Sequence, residues 1–99
     1  MIIYVDFDGV LAKTDGMAYL KSEPMYDNIQ RVNKLYDEGN IIVIYTARGS
    51  ITGLKDYFRE ITLKQIKKWG VKYHELNMDK PYYDMFIDDR SATTVPGKT

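Results

Sequence analysis

Two short runs of apolar and β-branched residues constrain the fold of this chain most strongly. They cover residues 1–5 and 41–45, and neither run alternates between apolar and polar positions. Strands with this pattern are typically buried on both faces, as in parallel sheets that helices cover. Between the runs, Ile29, Val32 and Leu35 share one face of a helix. The alternation of strand and helix therefore predicts an α/β fold.

Turn-forming residues indicate where the remaining elements begin and end. Gly39 follows the first helix as a typical end signal, and Gly70 does the same for a later one. Thr62-Leu63-Lys64-Gln65 forms a capping box, which predicts a fresh helix from Thr62. Further expected elements are a short helix over 53–60, strands over 71–76 and 83–87, and a tail over 91–99. Right-handed crossovers would join these into a three-layer, Rossmann-like parallel sheet of about four strands flanked by helices.

Composition limits the chain to one domain and narrows its partners. Its 99 residues are 44% hydrophobic, which is enough for one core and not for two. Fourteen basic and fourteen acidic residues cancel, so no broad basic field favours a nucleic-acid partner. The longest apolar runs are too short for a membrane span, and the chain contains no cysteine. We expect a soluble, cytoplasmic protein with no membrane partner.

Reactive side chains follow three of the expected strands at the point where each strand ends. The carboxyl ends of parallel strands meet at one edge of a sheet, and ligands bind in the crevice beyond that edge. Asp6 and Asp8 point the same way along an extended chain, so they can converge on one cation or phosphate before Gly9 bends the backbone. The side chains expected at this edge are Asp6, Asp8, Thr46, Arg48, Lys80, Asp88 and Asp89.

The same residues resemble the motifs of the haloacid dehalogenase (HAD) superfamily of phosphohydrolases. Those motifs are Asp-x-Asp after an apolar strand, a Ser or Thr after the next strand, a lysine before the final core strand, and an acidic pair after it. Their counterparts, in family order over residues 2–90, are Asp6-Phe7-Asp8-Gly9, Thr46, Lys80 and Asp88-Asp89. The resemblance implies one HAD-like hydrolase domain over residues 1–99, acting on a small phosphorylated substrate.

The resemblance also implies a phosphatase that works through an aspartyl-phosphate. Asp6 is then the nucleophile, and Asp8 protonates the leaving group and later activates water. Thr46 would donate a hydrogen bond to a phosphoryl oxygen, and Lys80 would neutralise charge on that group and on Asp6. Asp89 would orient the other groups of the site.

Phosphate chemistry explains why such a site needs a divalent cation. A carboxylate can attack a negatively charged phosphate ester only where cations offset the repulsion. Mg²⁺ is expected, because oxygen ligands are at hand and no cysteine offers a softer donor. The expected metal ligands are the carboxylates of Asp6 and Asp88, with a backbone carbonyl near Asp8.

Several alternatives stay open at this stage. Family members usually insert a cap domain, but residues 13–23 have room only for a short flap, so a second subunit in a homo-oligomer could cover the crevice. Arg48 either binds the substrate or pairs with an acid in the crevice, and Arg90 has no assigned role. The substrate is a sugar phosphate by analogy only. Alternative functions are a nucleotide or polynucleotide end phosphatase, a phospho-accepting signalling module, and a non-catalytic assembly subunit.

Overall fold

Five short strands and two helices make up the part of the chain that the computed structural model describes, residues 1–50 and 53–80. In chain order they are β1 (Ile2–Asp6), β2 (Ala12–Lys13), β3 (Glu23–Pro24), α1 (Tyr26–Asp37), β4 (Ile41–Tyr45), α2 (Lys55–Trp69) and β5 (Glu75–Asn77), with a single 3-10 turn at Tyr19–Lys21. Strands β1, β4 and β5 form the main sheet, and β2 and β3 form a small antiparallel ladder. The α/β class predicted from the sequence is confirmed.

The main sheet is parallel, with β4 between β1 and β5. Its register pairs Ile2 with Ile41 and Val43 with Glu75. Because the chain moves across the sheet in one direction, right-handed crossovers place α1 and α2 on the same face. The hydrophobic core is consistent with this placement of the helices, because one buried cluster contains Ile42 and Ile44 of β4 together with residues of both α1 and α2.

Burial follows from this layout. In the centre of the described sheet, β4 buries three consecutive residues, as the sequence predicts. In β1, which lies at the edge of the described sheet, Val5 is 1% exposed, whereas Ile2 and Tyr4 are 65% and 53% exposed. The prediction that β1 is buried on both faces is therefore wrong, because both described helices pack on the face that carries Val5. The predicted fourth strand, over 83–87, and the predicted tail lie outside the described residues.

The predicted break before Thr62 is also wrong, because α2 is one continuous helix from Lys55 to Trp69. A capping box marks the start of a helix only where the preceding residues are not helical, and no glycine or proline interrupts the chain between Leu54 and Trp69. The hydroxyl of Thr62 instead donates to the carbonyl of Phe58, one turn earlier, at 2.7 Å. The predicted helix end at Gly70 is confirmed, and this glycine has φ +71°.

Strand β5 is shorter than the predicted 71–76 and begins only at Glu75. The preceding residues bond to other partners: the N–H of Lys72 donates to the side chain of Asn33 in α1. His74 marks the transition, since its N–H donates to Ile42 O and its Nδ1 accepts from Ile42 N, both on β4. The Nδ1 atom of His74 thus accepts a hydrogen bond from β4 in place of a backbone carbonyl, just before regular pairing of β4 with β5 starts. Within residues 1–50 and 53–80, no helix is both long and apolar enough to cross a membrane.

Gly49 connects the end of β4 to the region before α2, and it allows a close approach of two backbone segments. Its φ is +78°, and a Cβ at this position would lie 3.0 Å from Cα and N of Lys55. Both the left-handed conformation and the lack of space therefore require glycine.

We expect Gly49→Ala to lower the free energy of unfolding by about 2–4 kcal/mol, because left-handed strain and overlap with the Lys55 backbone add together. Gly70→Ala is the matched control: its φ is +71°, but no heavy atom of the described residues lies within 4 Å of the added Cβ. In this control the free energy of unfolding should fall by only about 1–2 kcal/mol. Urea denaturation of both variants measures the difference, and equal losses would contradict the close approach.

Candidate active site

A cavity of about 250 Å³ lies at the carboxyl ends of β1 and β4. Five of the residues predicted from the sequence lie in its lining: Asp6, Asp8, Thr46, Arg48 and Lys80. The other two predicted site residues, Asp88 and Asp89, lie outside the described residues, as does Arg90, which has no assigned role. The structure therefore brings together every predicted site residue that it describes, which is the placement expected at the edge of a parallel sheet.

Asp6 and Lys80 form an ion pair in the lining of this cavity. Asp6 is the last residue of β1, and Lys80 follows β5 by three residues. The Nζ of Lys80 donates to Oδ1 of Asp6, and the two side chains are only 15% and 16% exposed. Water screens such a pair less than a surface pair. The lysine therefore places a positive charge beside the carboxylate with the predicted nucleophilic role.

The turn that follows β1 is held by its own backbone and by one buried asparagine. The carbonyl of Phe7 accepts hydrogen bonds from the N–H groups of residues 10–12, and Gly9, with φ +90°, donates to Ala12 O. Asn28 of α1 is buried, and its Nδ2 donates to the carbonyl of Val10 at 2.9 Å. Sequence reasoning missed Asn28, although a polar residue beside Ile29 on the buried face of α1 was a usable signal.

Asp8 and Arg48 form a second ion pair, with two parallel hydrogen bonds. Arg48 Nε donates to Asp8 Oδ2 at 2.9 Å, and Nη2 donates to Oδ1 at 2.7 Å. The hydroxyl of Thr14 donates to the same Oδ1 at 2.7 Å. Of the two alternatives for Arg48, the structure shows the pairing with an acid. This two-point geometry fixes the orientation of the Asp8 carboxylate as well as its position.

The guanidinium of Arg48 is surrounded on all sides, and Arg48 is only 1% exposed. Its Nη1 donates to Thr62 and Gln65 of α2, at 3.0 and 2.7 Å, and its Nη2 also donates to Ser22 at 3.2 Å. Its Cζ lies 4.4 Å from the ring centroid of Phe7 and 4.7 Å from that of Tyr19. Stacking between two rings compensates in part for removing the charge from water. The sequence had indicated Thr62 and Gln65 only as a helix cap.

Thr46 follows β4 directly and is 3% exposed. Its backbone N–H donates to the carbonyl of Asn77 in β5 at 3.0 Å. Its Oγ1 accepts a hydrogen bond from the backbone N–H of Arg48 at 3.2 Å. A hydroxyl oxygen that accepts in this way still carries its own proton. Thr46 can therefore support the local backbone and donate a hydrogen bond to a ligand as well.

Residues 13–23, the predicted flap, form one wall of the cavity. The segment leaves through β2 and returns through β3, which pair as a two-residue ladder. Met17 and Tyr19 from this segment line the cavity, and Met17 is 51% exposed. The carbonyl of Tyr19 accepts a hydrogen bond from Gln65 at 2.7 Å. The segment is thus tied to α2 through Gln65.

The donors at the described part of the site fit a hard divalent cation. Residues 1–50 and 53–80 contain no cluster of three or more His, Cys, Asp or Glu side chains able to hold a metal ion. They do place Asp6 and Asp8 in the lining of one cavity, where the Asp6 carboxylate and the Asp8 backbone carbonyl offer oxygen, which Mg²⁺ prefers. The side chain of Asp8 already accepts from Arg48 and Thr14. The predicted contribution of Asp8 through its backbone carbonyl is compatible with this arrangement.

Comparison with known proteins shows a similarity in fold to a solved structure. No protein-family model matches the chain, and no curated protein matches it either. The fold is similar to the crystal structure of a target protein from Vibrio cholerae, with a TM-score of 0.77 and 29% sequence identity. The similarity covers 91% of this chain and 80% of the Vibrio chain. This likeness supports the α/β fold over most of the chain.

We expect Asn28→Ala to lower the free energy of unfolding by about 1–3 kcal/mol, because it removes the donor to the buried carbonyl of Val10. Asn33→Ala is the matched control on the same helix. Asn33 bonds to Gly70 O and Lys72 N in exposed positions, where water can replace it. In the control the free energy of unfolding should fall by less than about 1 kcal/mol. Urea denaturation checks both values, and a smaller loss in Asn28→Ala than in Asn33→Ala would contradict this account of the turn.

Proposed function

We propose that this protein is a Mg²⁺-dependent phosphomonoester hydrolase of the capless, HAD-like kind, and that it works through an aspartyl-phosphate on Asp6. The observation that supports the proposal best is the meeting of Asp6, Asp8, Thr46 and Lys80 in one cavity. These residues come from three separate parts of the chain and match three motifs of the superfamily in their order. In this proposal the segment over 83–87 adds a fourth strand to the sheet and carries Asp88 and Asp89 to the site.

In the first step, a carboxylate oxygen of Asp6 attacks the phosphorus of the substrate. The bond from phosphorus to the ester oxygen breaks, and that oxygen leaves with the electron pair and takes the proton of Asp8, which enters this step as a carboxylic acid and ends it as a carboxylate. Lys80, already in contact with Asp6, and the hydroxyl proton of Thr46 stabilise the negative charge on the phosphoryl oxygens.

In the second step, water hydrolyses the aspartyl-phosphate. Asp8, now a carboxylate, takes a proton from the water as its oxygen attacks phosphorus. The bond from phosphorus to Asp6 breaks, which releases inorganic phosphate and restores both carboxyl groups. When bound by Asp6, Asp88 and the backbone carbonyl of Asp8, Mg²⁺ would offset the repulsion between the phosphate and Asp6.

The proposed substrate is a small phosphomonoester in the cytoplasm, with a sugar phosphate as the candidate by analogy. A cavity of about 250 Å³ provides one compact site. Equal numbers of acidic and basic residues do not favour a long polyanion such as a polynucleotide end. Met17, in the wall formed by residues 13–23, is half-exposed. We therefore also propose a homo-oligomer in which a second copy of the chain covers this wall.

We expect purified protein to hydrolyse 4-nitrophenyl phosphate in the presence of Mg²⁺, and Asp6→Asn to abolish turnover, because an amide cannot form the aspartyl-phosphate. Removal of Mg²⁺ by a chelator should have the same effect. Asp37→Asn is the matched control, since Asp37 also pairs with a lysine, Lys72, but is 57% exposed and lies on α1.

The release of nitrophenolate measures turnover, and circular dichroism checks that each variant is folded. Turnover that persists in Asp6→Asn would overturn the proposal. A stable, acid-labile phosphoprotein without turnover would instead support the phospho-accepting signalling module.

A further inference from the structure

We propose that Arg48 is a positioning residue, which holds the carboxylate of Asp8 where proton transfer to the leaving group requires it. The inference rests on the proposed function, in which Asp8 is the acid and base. It assigns Arg48 to the chemistry of the leaving group and not to binding of the substrate phosphate.

The hydrogen bonds of Arg48 account for its whole donor capacity. An arginine side chain carries five N–H groups. Nε donates to Asp8, Nη1 donates to Thr62 and Gln65, and Nη2 donates to Asp8 and Ser22. A substrate phosphate could bind Arg48 only by displacing one of these partners. The side chain of Arg48 is also 0% exposed, whereas that of Asp8 is 29% exposed, so Asp8 is the more accessible member of the pair.

Asp8, in contrast, is accessible from the cavity. Its side chain is 29% exposed and lies in the cavity lining. Among the described residues, Oδ1 accepts from Arg48 and Thr14, and Oδ2 accepts from Arg48 alone. Oδ2 therefore retains the greater capacity to exchange a proton with a leaving group or with water.

The pair is held rigidly from several directions. Thr62 and Gln65 fix the guanidinium from α2, while the rings of Phe7 and Tyr19 lie against it. The guanidinium is planar and makes hydrogen bonds to α2 on one side and to Asp8 on the other, so its orientation fixes the orientation of the Asp8 carboxylate. Displacement of a catalytic group by about 1 Å can reduce a rate roughly 100-fold. Loss of Arg48 should therefore act through Asp8.

This role predicts a dependence on the leaving group. An alkoxide is strongly basic and needs a proton from Asp8 as it departs, whereas 4-nitrophenolate leaves readily without one. The value of kcat/KM includes the step in which the leaving group departs. A residue that positions Asp8 should therefore matter much more for an alkyl phosphate than for an aryl phosphate. A residue that binds the phosphoryl group should matter equally for both.

The test compares Arg48→Gln with the wild type on glycerol phosphate and on 4-nitrophenyl phosphate, with Mg²⁺. We expect kcat/KM to fall about 100-fold for the alkyl ester and less than about 5-fold for the aryl ester. In the Asp8→Asn background, Arg48→Gln should cause no further loss on the alkyl ester, because both changes remove the same contribution. Arg31→Gln, on the exposed side of α1, is the matched arginine control and should leave both values unchanged.

Equal losses on the two esters, or additive losses with Asp8→Asn, would overturn the positioning role. If Arg48→Gln does not fold, Thr14→Val serves in its place, because it removes a donor to Asp8 Oδ1 and leaves Arg48 intact. Thr14→Val should lower kcat/KM several-fold more for the alkyl ester than for the aryl ester. An equal fall in kcat/KM for the two esters would also overturn the positioning role. A wild type with no activity that depends on Asp6 would overturn the proposed function itself, which separates the two failures.

Discussion

The ion pair of Asp8 and Arg48 is the interaction on which the rest of the site depends. A guanidinium that is fully removed from water is stable only where its charge is paired and its N–H groups are bonded. Meeting that requirement brings together the turn after β1, the segment over 13–23, the end of β4 and the helix α2. Each of these elements supplies at least one contact to the pair. Residues of the same four elements line the cavity.

Helix α2 shows how this requirement overrides local sequence signals. Thr62 and Gln65 have the spacing of a helix cap, and in an isolated peptide they would favour a helix start. In the folded protein they lie three residues apart on one face of a continuous helix, and both accept from Arg48. Gln65 also donates to the carbonyl of Tyr19. The same two residues therefore connect the helix to the site.

Some predictions from local sequence signals were accurate, although the capping box at Thr62 does not start a helix and β5 begins later than predicted. The bounds of β4 and the helix end at Gly70 follow from a run of apolar residues and from one glycine, and the shared location of Asp6 and Thr46 follows from parallel pairing. Contacts between distant residues could not be predicted in the same way. Arg48 lies 40 positions from Asp8, and Asn28 lies 18 positions from Val10. Such pairs depend on how helices pack on the sheet, which sequence spacing does not encode.

The attachment of residues 13–23 has a consequence for how molecules reach the cavity. Mobile lids close over many active sites, and their opening often limits the rate at which products depart. Here Ser22 bonds to the buried guanidinium, and the carbonyl of Tyr19 is bonded from α2. Each of these bonds must break before this wall can swing away as a mobile lid does, and one of them ends on a buried charge. Attachment of this kind favours selection of molecules by the size and shape of the cavity opening over selection by the opening and closing of a lid.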